Sequence, residues 1–204
     1  MASSDKQRAK GILRTRMLHR MASVSAPEAK AAGQSIATQL AQCRSWPELE
    51  VVALFASLQG EVDTLPVIEL CWNAGKQVLL PRVLGGRRLE FAICEPGEPL
   101  ISGPLGVREP GEGATVSVLA EADQVLVPGV AFDRGGGRLG RGRGYYDRAL
   151  AGLQGGSRRP LLTGIAFAFQ VVEGVPVDPL DVRVDEILTE VDGSPVSRTL
   201  GDFG

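Results

Sequence analysis

Short apolar runs rich in β-forming residues recur along this 204-residue chain and alternate with segments of helical periodicity. The runs are VVALFAS (51–57), QVLLP (77–81), RLEFAIC (88–94), QVLVPGVAF (124–132), LLTGIAF (161–167) and EILTE (186–190). Strands that are apolar on nearly every residue are typical of a sheet covered on both faces, and alternation with helices favours parallel pairing. The pattern therefore predicts an α/β fold with a mainly parallel sheet.

Four segments predict helices, at residues 5–22, from Ser25 to about Cys43, at 65–74 and from Tyr145 onward. Ser25 and Glu28 have the spacing of a capping box, which marks a helix start. Four apolar residues near helical spacing support the first of these helices: Ile12, Leu13, Met17 and Met21. Residues 95–114 are rich in Pro and Gly and predict an irregular loop. Without a repeat or a long linker, we expect one domain over residues 1–204, with a core at about 6–190 and a loose tail at 191–204.

The first 25 residues allow two interpretations. They contain many basic residues and only one acid, Asp5, a composition that transit peptides share. The alternative is a basic first helix of the folded domain, which we favour.

Composition excludes several classes of function. The net charge is −2, so no global charge recruits nucleic acid or a membrane, and no apolar run approaches the ~20 residues that a membrane helix needs. The three cysteines are odd in number and lack CxxC spacing, which favours a reducing, cytoplasmic environment and argues against a zinc site. His19 is the only histidine, so we do not expect a histidine-based triad.

The stretch FDRGGGRLGRGRGYYDRAL, residues 132–150, concentrates glycine and arginine in a mildly acidic chain. It follows a predicted strand and precedes a predicted helix, and ligands of open α/β sheets bind beyond the carboxyl ends of strands. Glycines let backbone N–H groups approach an anion, a helix N-terminus favours negative charge, and arginines bind phosphate or carboxylate. The stretch predicts a polyphosphate site, although it matches neither a Walker A loop nor GxGxxG.

Two interpretations are open for the role of some of its residues. Asp147 either neutralises neighbouring arginines or binds magnesium, which usually takes one or two carboxylates together with phosphate oxygens. Tyr145 and Tyr146 are either core aromatics or a flat surface for a ring. Arginine–glycine segments also bind single-stranded RNA, but those are usually repeated, disordered tails.

The stretch LVPGVAFDRGGGRLGRGRGYYDRAL, residues 126–150, closely resembles the signature of the 5-formyltetrahydrofolate cyclo-ligase family. Its core RLGRGRGYYD, residues 138–147, is long and specific. KGILR (10–14), SLQGEVDT (57–64) and VRVDEILTE (182–190) resemble further family segments in the expected order. The resemblance spans about residues 6–190 and supports a structural first helix.

The resemblance implies a three-layer α/β/α fold and an ATP- and Mg²⁺-dependent ligase. In this family, 5-formyltetrahydrofolate becomes 5,10-methenyltetrahydrofolate with release of ADP and phosphate. The formyl oxygen takes the γ-phosphoryl group, N10 closes the ring, and phosphate leaves. The implied partner is a reduced folate, possibly polyglutamylated, without nucleic acid or membrane, and the implied assembly is a monomer or weak homo-oligomer. A non-catalytic relative that binds nucleotide or RNA is the alternative.

The resemblance also implies residue roles. Lys10, Arg141 and Arg143 would be catalytic. ATP would be bound by Lys10, Arg14, Arg138, Leu139, Gly140, Arg141, Gly142, Arg143, Gly144, Tyr145 and Tyr146. The folate would be bound by Arg14, Ala56, Glu61, Arg141, Gly142, Arg143, Gly144 and Tyr145. Asp147 and Asp185 would hold magnesium.

Two positions depart from the family pattern. Arg143 stands where members often carry Gly or Lys, which alters the loop. Leu105 lies at about the position where some members place an aromatic that stacks on the folate, so substrate affinity is the property expected to differ.

Overall fold

The computed structural model describes residues 3–153, 159–178, 181–191 and 193–195. The helices are α1 (Ser3–Ala22), α2 (Ala26–Gln42), α3 (Leu65–Asn73) and α4 (Tyr145–Ala151). The strands are β1 (Val51–Ala53), β2 (Gln77–Leu84), β3 (Arg88–Ile93), β4 (Ile101–Ser102), β5 (Arg108–Glu109), β6 (Val116–Ser117), β7 (Gln124–Pro128), β8 (Ala131–Asp133), β9 (Arg138–Leu139), β10 (Leu161–Ile165), β11 (Val171–Val172), β12 (Glu186–Leu188) and β13 (Gly193–Pro195).

Eight of these strands form the main sheet in the order β13-β12-β10-β7-β1-β2-β3-β6. The five strands from β12 to β2 are parallel, whereas β13, β3 and β6 pair antiparallel at the sides. The remaining strands form a three-stranded sheet, β11-β8-β9, and the β4–β5 hairpin. This mainly parallel sheet confirms the predicted α/β class.

Helices cover the main sheet on both faces. Neighbouring strand residues point to opposite sides of the sheet, so both faces present apolar side chains that must be covered. Val52 and Leu80 belong to the hydrophobic core under α2 and α3, and this core also contains Ile36 of α2. Ala53 and Leu79 belong to the core on the other face, with Leu150 of α4. The predicted three-layer arrangement is therefore confirmed.

The capping box and the first helix are confirmed in large part. The Ser25 Oγ accepts a hydrogen bond from the Glu28 N–H at 3.4 Å, and the Glu28 carboxylate accepts one from the Ser25 N–H at 2.8 Å. Helix α1 buries Leu13, Met17 and Met21 against Val130, Ala131, Leu139 and Val175. Ile12, which belongs to the same helical periodicity, is instead 62% exposed.

Several element boundaries differ from the predictions. The run at 124–132 forms two strands, which are interrupted at Gly129. The Phe132 ring lies over this glycine, so that a Cβ on Gly129 would be 2.5 Å from the ring. The loop at 95–114 contains the β4–β5 hairpin. The segment predicted as a loose tail contributes β13 to the sheet, and its other residues from 192 onward lie outside the described ones.

The cysteines are free thiols. Burial raises the pKa of Cys71 to about 12 and that of Cys94 to about 11, so both are protonated and unreactive near neutral pH. No described helix is both long enough and apolar enough to cross a membrane.

Candidate active site

A cavity of about 440 Å³ opens at the carboxyl edge of the parallel strands. Phe55 and Ala56, just beyond β1, and Pro128 and Gly129, at the end of β7, form its floor. Further apolar side chains line it from α1, β2, β3 and the loops, namely Leu18, Leu58, Pro81, Val83, Leu89, Leu105 and Val107. The cavity therefore lies where open α/β sheets bind ligands and has one largely apolar wall.

The glycine–arginine loop forms the opposite, charged wall. It leaves β9, passes through Gly142 and Gly144 at φ values of 93° and 70°, and enters α4. These left-handed conformations favour glycine, which explains two of the loop glycines. Because α4 has only seven residues, arginine side chains rather than a helix dipole supply the positive charge.

Arg138 reaches the cavity from β9 and is almost fully buried. Its guanidinium forms an ion pair with Asp147 of α4, and Nη1 donates to the Pro128 carbonyl at 3.4 Å. Its Nε is buried without a partner among the described residues. Asp147 is thus in the cavity wall, already compensated by an arginine.

Arg141 bridges the glycine–arginine loop to the segment after β1. Its Nε and Nη2 both donate to Oε1 of Glu61, at 3.0 and 2.8 Å. The other Glu61 oxygen accepts a hydrogen bond from the Leu58 N–H at 3.0 Å. The Glu61 side chain is 11% exposed and that of Arg141 is 41% exposed, so the pair lies at the mouth with its arginine outermost.

Arg14 and Lys10 approach from α1. Arg14 donates from Nε to the Gly140 carbonyl at 3.0 Å, and its guanidinium lies beside Gly142. Lys10 instead donates to Asp178 and Asp181, both at 2.6 Å. Burial lowers the pKa of the Lys10 ammonium, but the two hydrogen-bonded carboxylates outweigh it and the pKa is raised, so Lys10 is charged at neutral pH.

The two tyrosines both line the cavity. Tyr146 packs against the cores on both faces of the sheet, and its hydroxyl is buried without a hydrogen-bond partner among the described residues. Burial, reinforced by the negative charge of Glu61, raises the pKa of this hydroxyl, so it is a neutral phenol. Tyr145 is only partly exposed.

The sequence profile of the 5-formyltetrahydrofolate cyclo-ligase family matches residues 6–190. The chain belongs to this family. It is 36% identical over 160 residues to the 5-formyltetrahydrofolate cyclo-ligase of Escherichia coli K12, covering 77% of this chain and 87% of the relative. It is 30% identical to that of Mus musculus, covering 97% and 100%.

A solved structure also resembles the fold. The 5,10-methenyltetrahydrofolate synthetase of Aquifex aeolicus superposes with a TM-score of 0.79 at 32% identity, covering 93% of this chain and 94% of that one. The Mycoplasma pneumoniae synthetase, at 24% identity and a TM-score of 0.70, shares the fold.

The structure brings together most residues to which cyclo-ligase resemblance assigned roles. Ten of them line the cavity: Ala56, Glu61, Arg138, Gly140, Arg141, Arg143, Gly144, Tyr145, Tyr146 and Asp147. Arg14 and Gly142 lie directly behind this wall, and Leu139 is buried under α1. Lys10 lies outside the lining, paired with Asp178 and Asp181.

Asp185 lies outside the cavity lining that contains Asp147, and the two-carboxylate magnesium site stays a prediction. The register aligns Glu186 with Thr163 and Leu126, so Asp185 lies near the amino edge, about 10 Å along the strands from Pro128. There it forms an ion pair with Arg159 at 3.1 Å and accepts a hydrogen bond from the Leu162 N–H at 2.9 Å. Its carboxylate stabilises a strand start.

The sequence analysis missed two features of the site. The apolar part of the lining comes from six separate segments that no local pattern connects, at residues 18, 55–58, 81–83, 89, 105–107 and 128–129. The second missed feature is the pairing of Lys10 with Asp178 and Asp181, which are 168 and 171 residues away in the chain.

No group of three or more histidine, cysteine or acidic side chains suited to a metal occurs among the described residues.

Proposed function

We propose that this chain converts 5-formyltetrahydrofolate to 5,10-methenyltetrahydrofolate in an ATP- and magnesium-dependent reaction that releases ADP and phosphate. The observation that carries the proposal is the cavity, in which an apolar wall faces an arginine-rich loop at the carboxyl edge of the sheet. Family membership selects the reaction from those that such a cavity supports.

The two walls suit the two substrates. A reduced pterin is a flat, largely apolar ring with polar edges, which suits the wall around Phe55, Ala56 and Leu105, with Glu61 accepting hydrogen bonds from N–H groups of the ring. ATP carries a polyphosphate, which suits Arg138, Arg141 and Arg143. The folate and the γ-phosphate would then meet between the walls.

The proposed chemistry needs positioning and charge neutralisation more than a dedicated base. The formyl oxygen attacks the γ-phosphorus and ADP leaves, which converts a poor leaving group into a phosphate ester. N10 then attacks the formyl carbon, forms the new C–N bond and loses its proton to the departing phosphate, which carries away the former formyl oxygen. Arg141, Arg143 and Lys10 would neutralise the charge of the transferring group.

Asp147 is the carboxylate that fits a magnesium ion in this site. It lies in the cavity wall, and magnesium commonly takes one or two carboxylates together with phosphate oxygens and water. The ion would neutralise phosphate charge, and Arg138, now paired with Asp147, would be free to contact the phosphates. Asp185 is left out of the proposal, because it lies near the other edge of the sheet.

Without ligands, the charged residues of the site neutralise one another. Glu61 is paired with Arg141, Asp147 with Arg138, and Lys10 with Asp178 and Asp181. Substrate binding therefore exchanges these pairs for ligand contacts rather than filling unpaired charges. The desolvation cost of an unpaired buried charge is thereby avoided in the free protein.

The proposal also covers the recognition of the folate tail, the assembly of the protein and its location. The exposed Arg141, Arg143 and Arg148 near the mouth would attract the acidic glutamate tail of a folate. We propose a single cytoplasmic domain that acts as a monomer or weak homo-oligomer on a reduced folate, without nucleic acid or membrane partners.

The test is a spectrophotometric assay of the purified chain with 5-formyltetrahydrofolate, ATP and magnesium. The methenyl product is a conjugated amidinium that absorbs in the near ultraviolet, where the substrate does not. A band that grows only with ATP and magnesium both present, with one ADP formed per product, is the expected result. A folded protein that gives no band contradicts the proposal and favours the nucleotide- or RNA-binding alternative, which filter binding would then examine.

A further inference from the structure

The glycine triplet at residues 135–137 lies outside the cavity lining, although it belongs to the longest motif of the chain. It forms the turn of the β8–β9 hairpin. Two of its N–H groups donate to one side chain, that of Asp133, while its carbonyls accept from Arg183 and from the Val184 N–H. We propose that Asp133 is a positioning residue for the phosphate side of the site. The inference rests on the proposed function, since it concerns where ATP binds.

The Asp133 carboxylate accepts three backbone hydrogen bonds. Its Oδ1 accepts from the N–H groups of Gly135 and Gly137, both at 2.9 Å, and its Oδ2 accepts from that of Val175 at 2.7 Å. The residue is only 8% exposed, so these bonds form away from bulk water. Hydrogen bonds to a charged acceptor are stronger than neutral ones, and this carboxylate therefore holds the turn in one conformation.

The glycines are required by this arrangement. A Cβ on Gly137 would lie 2.4 Å from the Asp133 Oδ2, too close for any side chain. Gly136 has a φ of 81°, which favours glycine. The triplet thus lets the backbone wrap closely around a carboxylate, while its residues lie outside the cavity lining.

The carboxylate joins two parts of the chain that lead to the site. On one side, the turn is followed at once by Arg138, whose guanidinium lies in the cavity wall and pairs with Asp147. On the other side, Val175 begins the short path to Asp178, which holds Lys10. Because both Arg138 and Lys10 are proposed phosphate ligands, a shift of Asp133 would displace both while leaving the apolar folate wall in place.

The test compares Asp133→Asn with Asp123→Asn. An asparagine has one acceptor oxygen, so Asp133→Asn brings an NH₂ group against at least one N–H donor. Asp123 provides a matched control, because its Oδ2 accepts from the N–H groups of Glu50 and Val51 at 2.7 and 2.9 Å, at the amino edge of the sheet. Both variants should lower the melting temperature, since each loses support for buried or strand-starting backbone groups.

Only Asp133→Asn should change ATP use. We expect its KM for ATP to rise about tenfold or more, with the KM for 5-formyltetrahydrofolate within about twofold of the parent, because a contact specific to one substrate is displaced. Asp123→Asn should leave both constants unchanged. If the two variants have the same KM for ATP, or if both KM values rise together in Asp133→Asn, the role of Asp133 is only structural.

Two further measurements keep the inference testable if Asp133→Asn does not fold. Gly137→Ala disturbs the same contact from the opposite side and should also raise the KM for ATP selectively. In the unchanged protein, ATP should slow hydrogen exchange at the amides of Gly135, Gly137 and Val175 but not at those of Glu50 and Val51. Equal exchange with and without ATP would overturn the inference, whereas a parent protein without ATP-dependent activity would overturn the proposed function instead.

Discussion

The amino edge and the carboxyl edge of the parallel strands both hold charged and polar side chains, and the partners of those side chains differ. At the amino edge many of the partners are backbone groups. Asp123 accepts from the N–H of Val51 at 2.9 Å, and Lys76 donates to the carbonyls of Trp46 and Leu49 at 2.8 and 2.6 Å. Such side chains satisfy strand and loop ends that would otherwise be unpaired.

At the carboxyl edge the charged side chains pair mainly with one another. Arg141 pairs with Glu61, 80 residues away in the chain, and Arg138 of β9 pairs with Asp147 of α4, nine residues further on. A side chain can leave such a pair without breaking secondary structure, provided a ligand takes over the charge. The comparison shows that the same residue types support backbone ends at one edge and pair with one another at the other.

The largest expected effect separates the two aspartates that the sequence analysis grouped together. Asp147→Asn should lower kcat/KM by about 10²–10³-fold, because it removes a charge at the proposed magnesium and phosphate site. Asp185→Asn should lower the free energy of unfolding by about 1 kcal/mol, since Asp185 supports the Leu162 N–H, with kcat/KM within about threefold of the parent.

Steady-state kinetics and chemical denaturation of both variants check this prediction. An Asp185→Asn enzyme as inactive as Asp147→Asn, with its stability unchanged, would mean that the amino edge takes part in the chemistry. The distinction between a structural amino edge and a functional carboxyl edge would then not hold for Asp185.

The next effect concerns the exchangeable pair at the mouth. Glu61→Gln should raise the KM for 5-formyltetrahydrofolate by about 10–100-fold, because a charged hydrogen-bond acceptor for the ring is lost, a change of about 1.5–3 kcal/mol. The KM for ATP should change little. The matched control is Glu90→Gln, since Glu90 also pairs with an arginine, Arg82, across β2 and β3, but neither residue lines the cavity.

A rise in the KM for ATP equal to that for the folate would contradict this assignment of Glu61. It would show that releasing Arg141 from its partner disturbs the phosphate side as well. Comparing the two KM values in the same preparation distinguishes these outcomes without reference to absolute rates.

Much of the fold was predictable because apolar β-rich runs and capping signals act locally. The place of the glycine–arginine loop was also predictable, because the stretch follows the strand predicted at 124–132 and ligands bind beyond the carboxyl ends of parallel strands. The same rule argues against Asp185 as a ligand, since it precedes its strand, but the family resemblance outweighed that rule. The pairing of Lys10 with Asp178 and Asp181, and the role of Asp133, depend on contacts between distant segments and on backbone geometry that a sequence does not display.

The amino edge offers a change that should affect stability alone. Lys76→Met keeps the length of the side chain but leaves the Leu49 carbonyl without its ammonium donor and removes the ring contact with Trp46 at 4.6 Å. The free energy of unfolding should fall by about 1–3 kcal/mol, while both KM values stay at the parent level. Lys30→Met, at an exposed site on α2, should change neither quantity. Altered KM values in Lys76→Met would show that the two edges are coupled.

The smallest effect is expected at Leu105, on the rim of the cavity. Leu105 has a φ of 66° and is 47% exposed, so its side chain covers the mouth from a turn that already accepts a non-glycine residue in this conformation. Leu105→Tyr should lower the KM for 5-formyltetrahydrofolate about twofold to tenfold, because an aromatic ring stacked on the pterin contributes about 0.5–1.5 kcal/mol. Val116→Tyr, at an exposed site on β6 that does not line the cavity, should have no effect. An unchanged KM in Leu105→Tyr would mean that the pterin lies away from this rim. It would then lie deeper in the cavity, against Phe55 and Ala56 just beyond the end of β1.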